Sequence, residues 1–372
     1  MKDIIFWFDN PPGISRGIFN EVSNIWDGKC FYIAMKDTRE ERKAINWDEG
    51  GYARAQLIVL EKELNPDIFI NHFLNQHKND IHIFTGYKGL TKNYLNSLIR
   101  MNLKYIYIWA EGPVTCGIKR KIIVNVLHRY YAMRYREKIR AMFALGKNGI
   151  KIYNRLGWKK EQLFPLLYLP LTNETTNRIK RKTTGFIKFI YIGRFSKTKG
   201  LSTLMSACDC INNKNWSLDL VGGYGELSEQ VQIWIKHKTN VSFLGKWNIN
   251  EVEDNLQDYD VCIVPSLFDG WNVTVNKALS ANIGVITTDA AGSNDMISAS
   301  GAGIVVKAGK PKELAEAMKV VINDYKIAED WKEKAGAYMK SWNERDCAKY
   351  FIDVILYTQG KIKIKPGAPW LL

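Results

Sequence analysis

Along most of the chain, short runs of apolar residues alternate with longer segments whose apolar positions recur at helical spacing. In the first half the runs are Ile4–Phe8, Phe31–Met35, "DIFIN" (67–71), "IHIFTG" (81–86), "KYIYIWAE" (104–111) and "AMFALG" (141–146). Each reads as a strand, Ile4–Phe8 as one of the buried type, because a continuous apolar run suits a parallel sheet covered by helices. Helices are predicted at Ile14–Trp26, Tyr52–Leu64, Leu90–Met101 and Ile118–Arg140. The second of these is expected to stop before Asn65-Pro66, since proline cannot continue a helix.

The second half repeats the logic. "FIKFIYIG" (186–193), "WSLDLVGG" (216–223), "NVSFLG" (240–245), "YDVCIVPS" (259–266) and "IGVITTD" (283–289) are strands. Ser202–Ile211, Asn272–Ala281 and Lys312–Asp324 are helices, and a helical tail runs to about Tyr357. Strands alternating with helices predict parallel α/β sheets. There are too many units for one sheet, and 372 residues suffice for two domains. The segment "LTNETTNRIKRKTTG" (171–185) is polar, charged and poor in apolar residues. The expected division is a first domain over 1–171, a linker over 172–185, a second domain over 186–357 and a tail over 358–372. Both domains should be doubly wound, with a cleft between them and ligands at the carboxyl ends of the strands.

Composition narrows the class. Apolar residues make up 46% and charged residues 24% of the chain, which suits buried cores and excludes extended disorder. The six cysteines are scattered without a C-x-x-C pair, so reduced thiols are expected and a structural zinc site is not. No apolar run has the length of a signal-peptide core or a membrane span, and a cytoplasmic protein is expected. The net charge is +15, and most of it comes from Lys119–Lys160, with thirteen basic residues against one acid, Glu137. Such a segment attracts phosphate groups of nucleic acid, anionic lipid or nucleotide; the plainer reading is a solvated helix face. No nucleic-acid motif accompanies it, so nucleic acid is not an expected partner.

Four loops after strands of the second half carry candidate chemistry. "GRFSKTKG" (193–200) places Arg194 and Lys199 before a helix; the guanidinium offers a planar fork to phosphate oxygens and the ammonium a point charge. "VGGYGE" (221–226) has glycines, Gly223 among them, that let backbone approach a ligand. "FLGKW" follows at 243–247. "PSLFDGWN" (265–272) puts Asp269 in a turn ahead of a helix whose N–H groups suit a phosphate.

These loops, in this order, resemble the C-terminal domain of retaining glycosyltransferases of family 4, which have the GT-B fold of two Rossmann-like domains facing each other across a cleft. The matching residues are Gly193-Arg194-Phe195, Lys199-Gly200, Gly222-Gly223-Tyr224-Gly225, Phe243-Leu244-Gly245, Pro265-Ser266, Asp269-Gly270-Trp271-Asn272, Ala278, Thr288-Asp289, Gly292 and Asp295. They cover about a third of the chain, from Phe186 to Val321. The resemblance implies a metal-independent enzyme without a cofactor, moving a sugar from a nucleotide-sugar donor to a glycan or lipid-linked hydroxyl with retention. Surface polysaccharide synthesis, lipopolysaccharide or capsule, is the implied setting. Arg194 and Lys199 would hold the diphosphate, and Asp269 would accept donor sugar hydroxyls. Leu244, Gly245 and Lys246 would lie beside the base. Gly193, Gly223, Ser266, Gly270, Trp271, Asn272 and Val273 would complete the donor site, with Gly13 approaching across the cleft.

Two departures stand out. Lys277 occupies the place of the family's second Glu, which grips the ribose; a lysine only donates, so it is expected to reach a phosphate or pair with Asp269. Asn272 replaces the last glycine of the motif, and Asn276 is a candidate for the missing ribose contact. Lys277 also leaves open a non-catalytic partner with a degenerate donor site. His72 is read as a donor sugar contact or as a surface or core histidine. Glu111 is read as orienting an acceptor hydroxyl or as ending its loop. Asp258-Tyr259-Asp260 is a D-x-D, read as the start of a strand rather than a metal site, and His128 as part of a polar helix face. Family members often act on lipid-linked acceptors, so the basic segment is expected to touch an anionic membrane at its cytoplasmic face.

Overall fold

The computed structural model describes residues 2–13, 16–38, 51–113, 118–169, 185–248 and 251–371. The 172–184 part of the predicted linker, together with Cys116, therefore lies outside the described residues. The strands are β1 (Ile4–Phe8), β2 (Cys30–Ala34), β3 (Gln56–Val59), β4 (Ile81–Thr85), β5 (Ile106–Ala110), β6 (Ala141–Leu145), β7 (Leu163–Leu166), β8 (Ile187–Arg194), β9 (Trp216–Gly223), β10 (Val241–Phe243), β11 (Val261–Val264), β12 (Gly284–Thr288) and β13 (Gly303–Val306). The helices are α1 (Arg16–Ile25), α2 (Pro66–Gln76), α3 (Lys92–Arg100), α4 (Ile118–Tyr135), α5 (Gly146–Arg155), α6 (Leu201–Asp209), α7 (Ser228–Ile235), α8 (Val252–Leu256), α9 (Val273–Ser280), α10 (Asn294–Ser300), α11 (Pro311–Asn323), α12 (Lys326–Lys340) and α13 (Glu344–Thr358).

The strands form two sheets, β3-β2-β1-β4-β5-β6-β7 and β10-β9-β8-β11-β12-β13, parallel throughout. In each, the order reverses between the first and fourth strands of that half, which opens a crevice at their carboxyl ends. Central strands such as β1, β5 and β6 are buried along their whole length, as their unbroken apolar runs demand.

Two predicted elements are corrected. Tyr52–Leu64 is not a helix: Gln56–Val59 pairs in parallel with β2, Phe31 opposite Gln56 and Ala34 opposite Val59. "DIFIN" is not a strand. Pro66 starts α2 rather than ending a helix, since its missing N–H is unneeded in a first turn. Ile70, Phe73 and Leu74 then bury one face at helical spacing. His72 falls on the exposed side of α2 instead of at a strand end.

The C-terminal tail is helical, but its last helix returns to the first sheet. Asn343 caps α13 and Asp346 completes a capping box. Phe351 stacks on Phe143 with ring centroids 4.2 Å apart, and Phe19 lies 5.8 Å away. Tyr350 Oη donates to the Pro165 carbonyl at 3.0 Å. Thus α13, grouped with the second domain on the sequence, completes the core of the first. Tyr350→Phe removes this bond and is expected to cost about 1 kcal/mol in chemical denaturation.

Candidate active site

In the second sheet the crevice lies between β8 and β11, and the loops after these strands touch. Leu267 N–H donates to Thr198 O at 2.9 Å. Gly200 makes the approach possible: its φ is +73°, and a Cβ there would lie 1.7 Å from Pro265 O. The contact sets Lys199 against Asp269, with Nζ 2.5 Å from Oδ2. Asn272 Nδ2 donates to the same oxygen at 2.9 Å. Asn272 also caps α9, its Oδ1 accepting from Thr274 N–H at 3.0 Å. That double use explains an asparagine where the motif has glycine.

The first domain supplies the opposite wall. Glu111, just after β5, lies against Gly270; a Cβ on that glycine would stand 2.6 Å from Glu111 Oε2. Tyr168 Oη donates to Glu111 Oε1 at 2.5 Å, and Tyr153 Oη to the Glu111 carbonyl at 2.5 Å. The carboxylate keeps access to solvent while both domains crowd it. Crowding raises its pKa and Asp269 pushes the same way, against the Tyr168 bond and Lys199. Further links cross the cleft. Lys147 N–H donates to the buried Asp295 carboxylate, and Asn148 Nδ2 to Asp289 O at 2.8 Å. Burial raises the Asp295 pKa.

The remaining predicted residues are placed as follows. Arg194, the last residue of β8, is exposed at the same strand ends. Gly193 and Gly223 pair across β8 and β9 one residue out of step, Gly193 opposite Gly222 and Arg194 opposite Gly223. Leu244 is exposed, Gly245 O accepts from Gly222 N–H at 2.7 Å, and Lys246 Nζ stands 3.5 Å over the Tyr224 ring. Ser266 is buried, and its Oγ has no partner among the described residues. Val273 opens α9. Gly13 lies beyond β1, its carbonyl accepting from Arg16 N–H at 3.0 Å. His72 is not brought to this site.

Three expectations, two on α9 and one on α4, are corrected. Lys277 does not pair with Asp269, which Lys199 holds. It is buried and its Nζ is 3.4 Å from Glu253 Oε1 of α8. Asn276 is also committed inside the fold: its Oδ1 accepts from Trp271 Nε1 at 2.8 Å and its Nδ2 donates to Tyr168 O at 3.1 Å. His128 is not on a polar face but buried against Tyr87 and Lys88. Asp260 bonds Lys188 N–H and Lys332 Nζ, each at 2.9 Å, at the amino end of β11 and away from the cleft. Among the described residues, Asp3, His77 and Asp80 bring possible metal-ligand atoms within 4.8 Å of one another. They lie at the amino ends of β1 and β4, and His77 and Asp80 bond each other there at 2.9 Å.

Residues 187–324 match the family model described as glycosyl transferases group 1. The match covers the second-domain stretch that carries Arg194, Lys199 and Asp269, and shows that this part of the chain is similar to that family. An uncharacterized glycosyltransferase of Methanocaldococcus jannaschii is 23% identical over 145 residues, 38% of this chain and 37% of the relative. The capsular polysaccharide biosynthesis glycosyltransferase CapM of Staphylococcus aureus is 26% identical over 147 residues, 37% of each chain. The chain thus spans well under half the length of these curated relatives. HepE of Anabaena, solved with UDP, superposes with a TM-score of 0.70 at 13% identity, over 95% of this chain and 99% of that one. The lipopolysaccharide outer core galactosyltransferase WaaB gives 0.68 at 16%, over 95% and 99%. The chain therefore has the two-domain GT-B fold.

Proposed function

We propose that this protein moves a sugar from a nucleotide-sugar donor to a hydroxyl of a glycan or lipid-linked acceptor, with retention of configuration. The observation that carries the reading is the Lys199–Asp269 pair at the carboxyl ends of β8 and β11, faced across the cleft by Glu111. The bond between the sugar's anomeric carbon and the diphosphate breaks as the acceptor oxygen bonds that carbon. The acceptor's proton leaves with the departing diphosphate. Lys199 and Arg194 stabilise the charge that develops on the diphosphate, and Asp269 accepts sugar hydroxyls. Glu111 accepts from the acceptor hydroxyl and orients it. The donor is a substrate, and no cofactor is consumed.

The names of CapM and WaaB support surface polysaccharide synthesis, capsule or lipopolysaccharide, as the setting. Helix α4 supports contact with an anionic membrane at its cytoplasmic face. Ile122, Ile123, Val126 and Met133 are exposed there, with Lys119, Arg120, Lys121 and Arg129 also on the helix. No helix among the described residues is long and apolar enough to cross a membrane.

The second reading, a non-catalytic partner, rests on Lys277, which presents no carboxylate to a ribose. Calorimetry with UDP, GDP, ADP and CMP separates the two. The transferase reading expects one nucleotide to bind, and Arg194→Ala to weaken it by about ten-fold. Absence of binding by all four would favour the partner.

A further inference from the structure

A cavity of about 260 Å³ opens at the carboxyl ends of β4 and β5, next to Glu111. Its walls are largely aromatic, with Tyr87, Trp109, Tyr153 and Tyr168 among them. Aromatic faces suit the C–H face of a sugar ring, because their negative quadrupole attracts weakly positive hydrogens. The Trp109 indole N–H is buried, with no hydrogen-bond partner among the described residues. Glu111 joins the cavity to the donor side, since its carboxylate reaches Gly270.

The other charged group lining the cavity is Lys88. Its Nζ is 2.8 Å from His128 Nε2, and the Tyr87 hydroxyl is 2.5 Å from Nδ1. A lysine ammonium only donates, so Nε2 accepts, and Nδ1 carries the proton that goes to Tyr87. The imidazole is thus neutral; burial and the neighbouring lysine charge lower its pKa to about 4. Lys88 and Lys92 both stand over the Tyr131 ring, at 5.4 and 5.5 Å. No carboxylate among the described residues comes within ion-pair distance of either. Two ammonium groups are therefore held near one another over the same ring, one of them lining the aromatic cavity, and neither has a neutralising carboxylate among the described residues. Burial and Lys92 both lower the Lys88 pKa.

We infer that this cavity holds the acceptor sugar and that Lys88, aligned by His128 and reinforced by Lys92, binds an anionic substituent on it. The substituent is a phosphate ester or a carboxylate; both offer oxygens to the remaining N–H groups of Lys88. The inference rests on the transferase reading and adds the charge class of the acceptor.

The test is calorimetry on the full chain with glucose and galactose each as methyl glycoside, 1-phosphate and uronate. Inorganic phosphate and UDP are titrated separately. The expected result is that one anionic sugar binds about ten-fold tighter than its neutral glycoside. Lys88→Gln should remove most of that advantage, and Lys92→Gln part of it. An unchanged UDP affinity in both variants shows that the fold is intact. A preference for the 1-phosphate over the uronate, or the reverse, names the substituent. Equal binding of charged and neutral sugars, a preference that survives Lys88→Gln, inorganic phosphate binding as tightly as the sugar phosphate, or no sugar binding at all would each overturn the inference. UDP binding without a charge preference refutes the inference and spares the transferase reading. Failure to bind any nucleotide refutes that reading by itself.

Discussion

Lys199→Ala is expected to lower kcat/KM for sugar transfer by about 10²- to 10³-fold, the cost typical of losing one preorganised charge-stabilising donor. The loop that carries Lys199 is pinned by Gly200 against Pro265, so the ammonium is held where the diphosphate would depart. Its loss also leaves the Asn272 amide as the remaining hydrogen-bond donor to the Asp269 carboxylate among the described residues, which loosens the carboxylate assigned to the donor sugar. Arg194 is exposed, and solvent screens its charge, so Arg194→Ala should cost less. The Lys199–Asp269 pair is partly open to solvent, and its removal should shift unfolding only slightly. Steady-state kinetics beside a denaturation curve checks both halves. A kcat/KM within about three-fold of wild type would remove Lys199 from the chemistry.

Much of this site was legible before the structure, because its residues follow strands that the apolar pattern announces. Arg194 ends β8, Lys199 and Asp269 lie in the loops after β8 and β11, and the reversal of strand order brings those loops together. What was not legible depends on contacts between distant segments. The Tyr52–Leu64 helix was mispredicted because β3 is short, and only pairing with β2 makes Gln56–Val59 extended. The error over "DIFIN" came from Pro66, which begins a helix as readily as it ends one. The cavity draws Lys88, Glu111, His128, Tyr153 and Tyr168 from separate elements with no spacing rule to connect them. His128 looked like one more polar residue in a basic helix. The ring packing of Phe351 on Phe143 likewise had no sequence signal beyond an apolar helix face.

The same limit applies to Lys277, and it reverses what the family motif suggests. Restoring the acid with Lys277→Glu looks like a repair of the donor site. In the fold it would put a second carboxylate into a pocket where Glu253 is 6% and Lys277 8% exposed. Burial already raises the Glu253 pKa, and the Lys277 charge opposes that rise. Replacing the cation by an anion removes the opposition and adds repulsion, so one carboxyl must take up a proton or the segment must open. Lys277→Glu is therefore expected to lower the unfolding free energy by about 3–5 kcal/mol, the usual cost of breaking a buried pair from one side. Nucleotide affinity should fall with it, because α9 follows directly on Asp269, Gly270 and Asn272. The swapped pair, Glu253→Lys with Lys277→Glu, restores opposite charges at the same two places and should recover more than half of the loss. Urea denaturation and UDP calorimetry on the wild type, both single variants and the swap measure the coupling. If Lys277→Glu instead matches wild-type stability and binds nucleotide more tightly, the lysine is a lesion in an older ribose site, and its pairing with Glu253 is incidental to the fold.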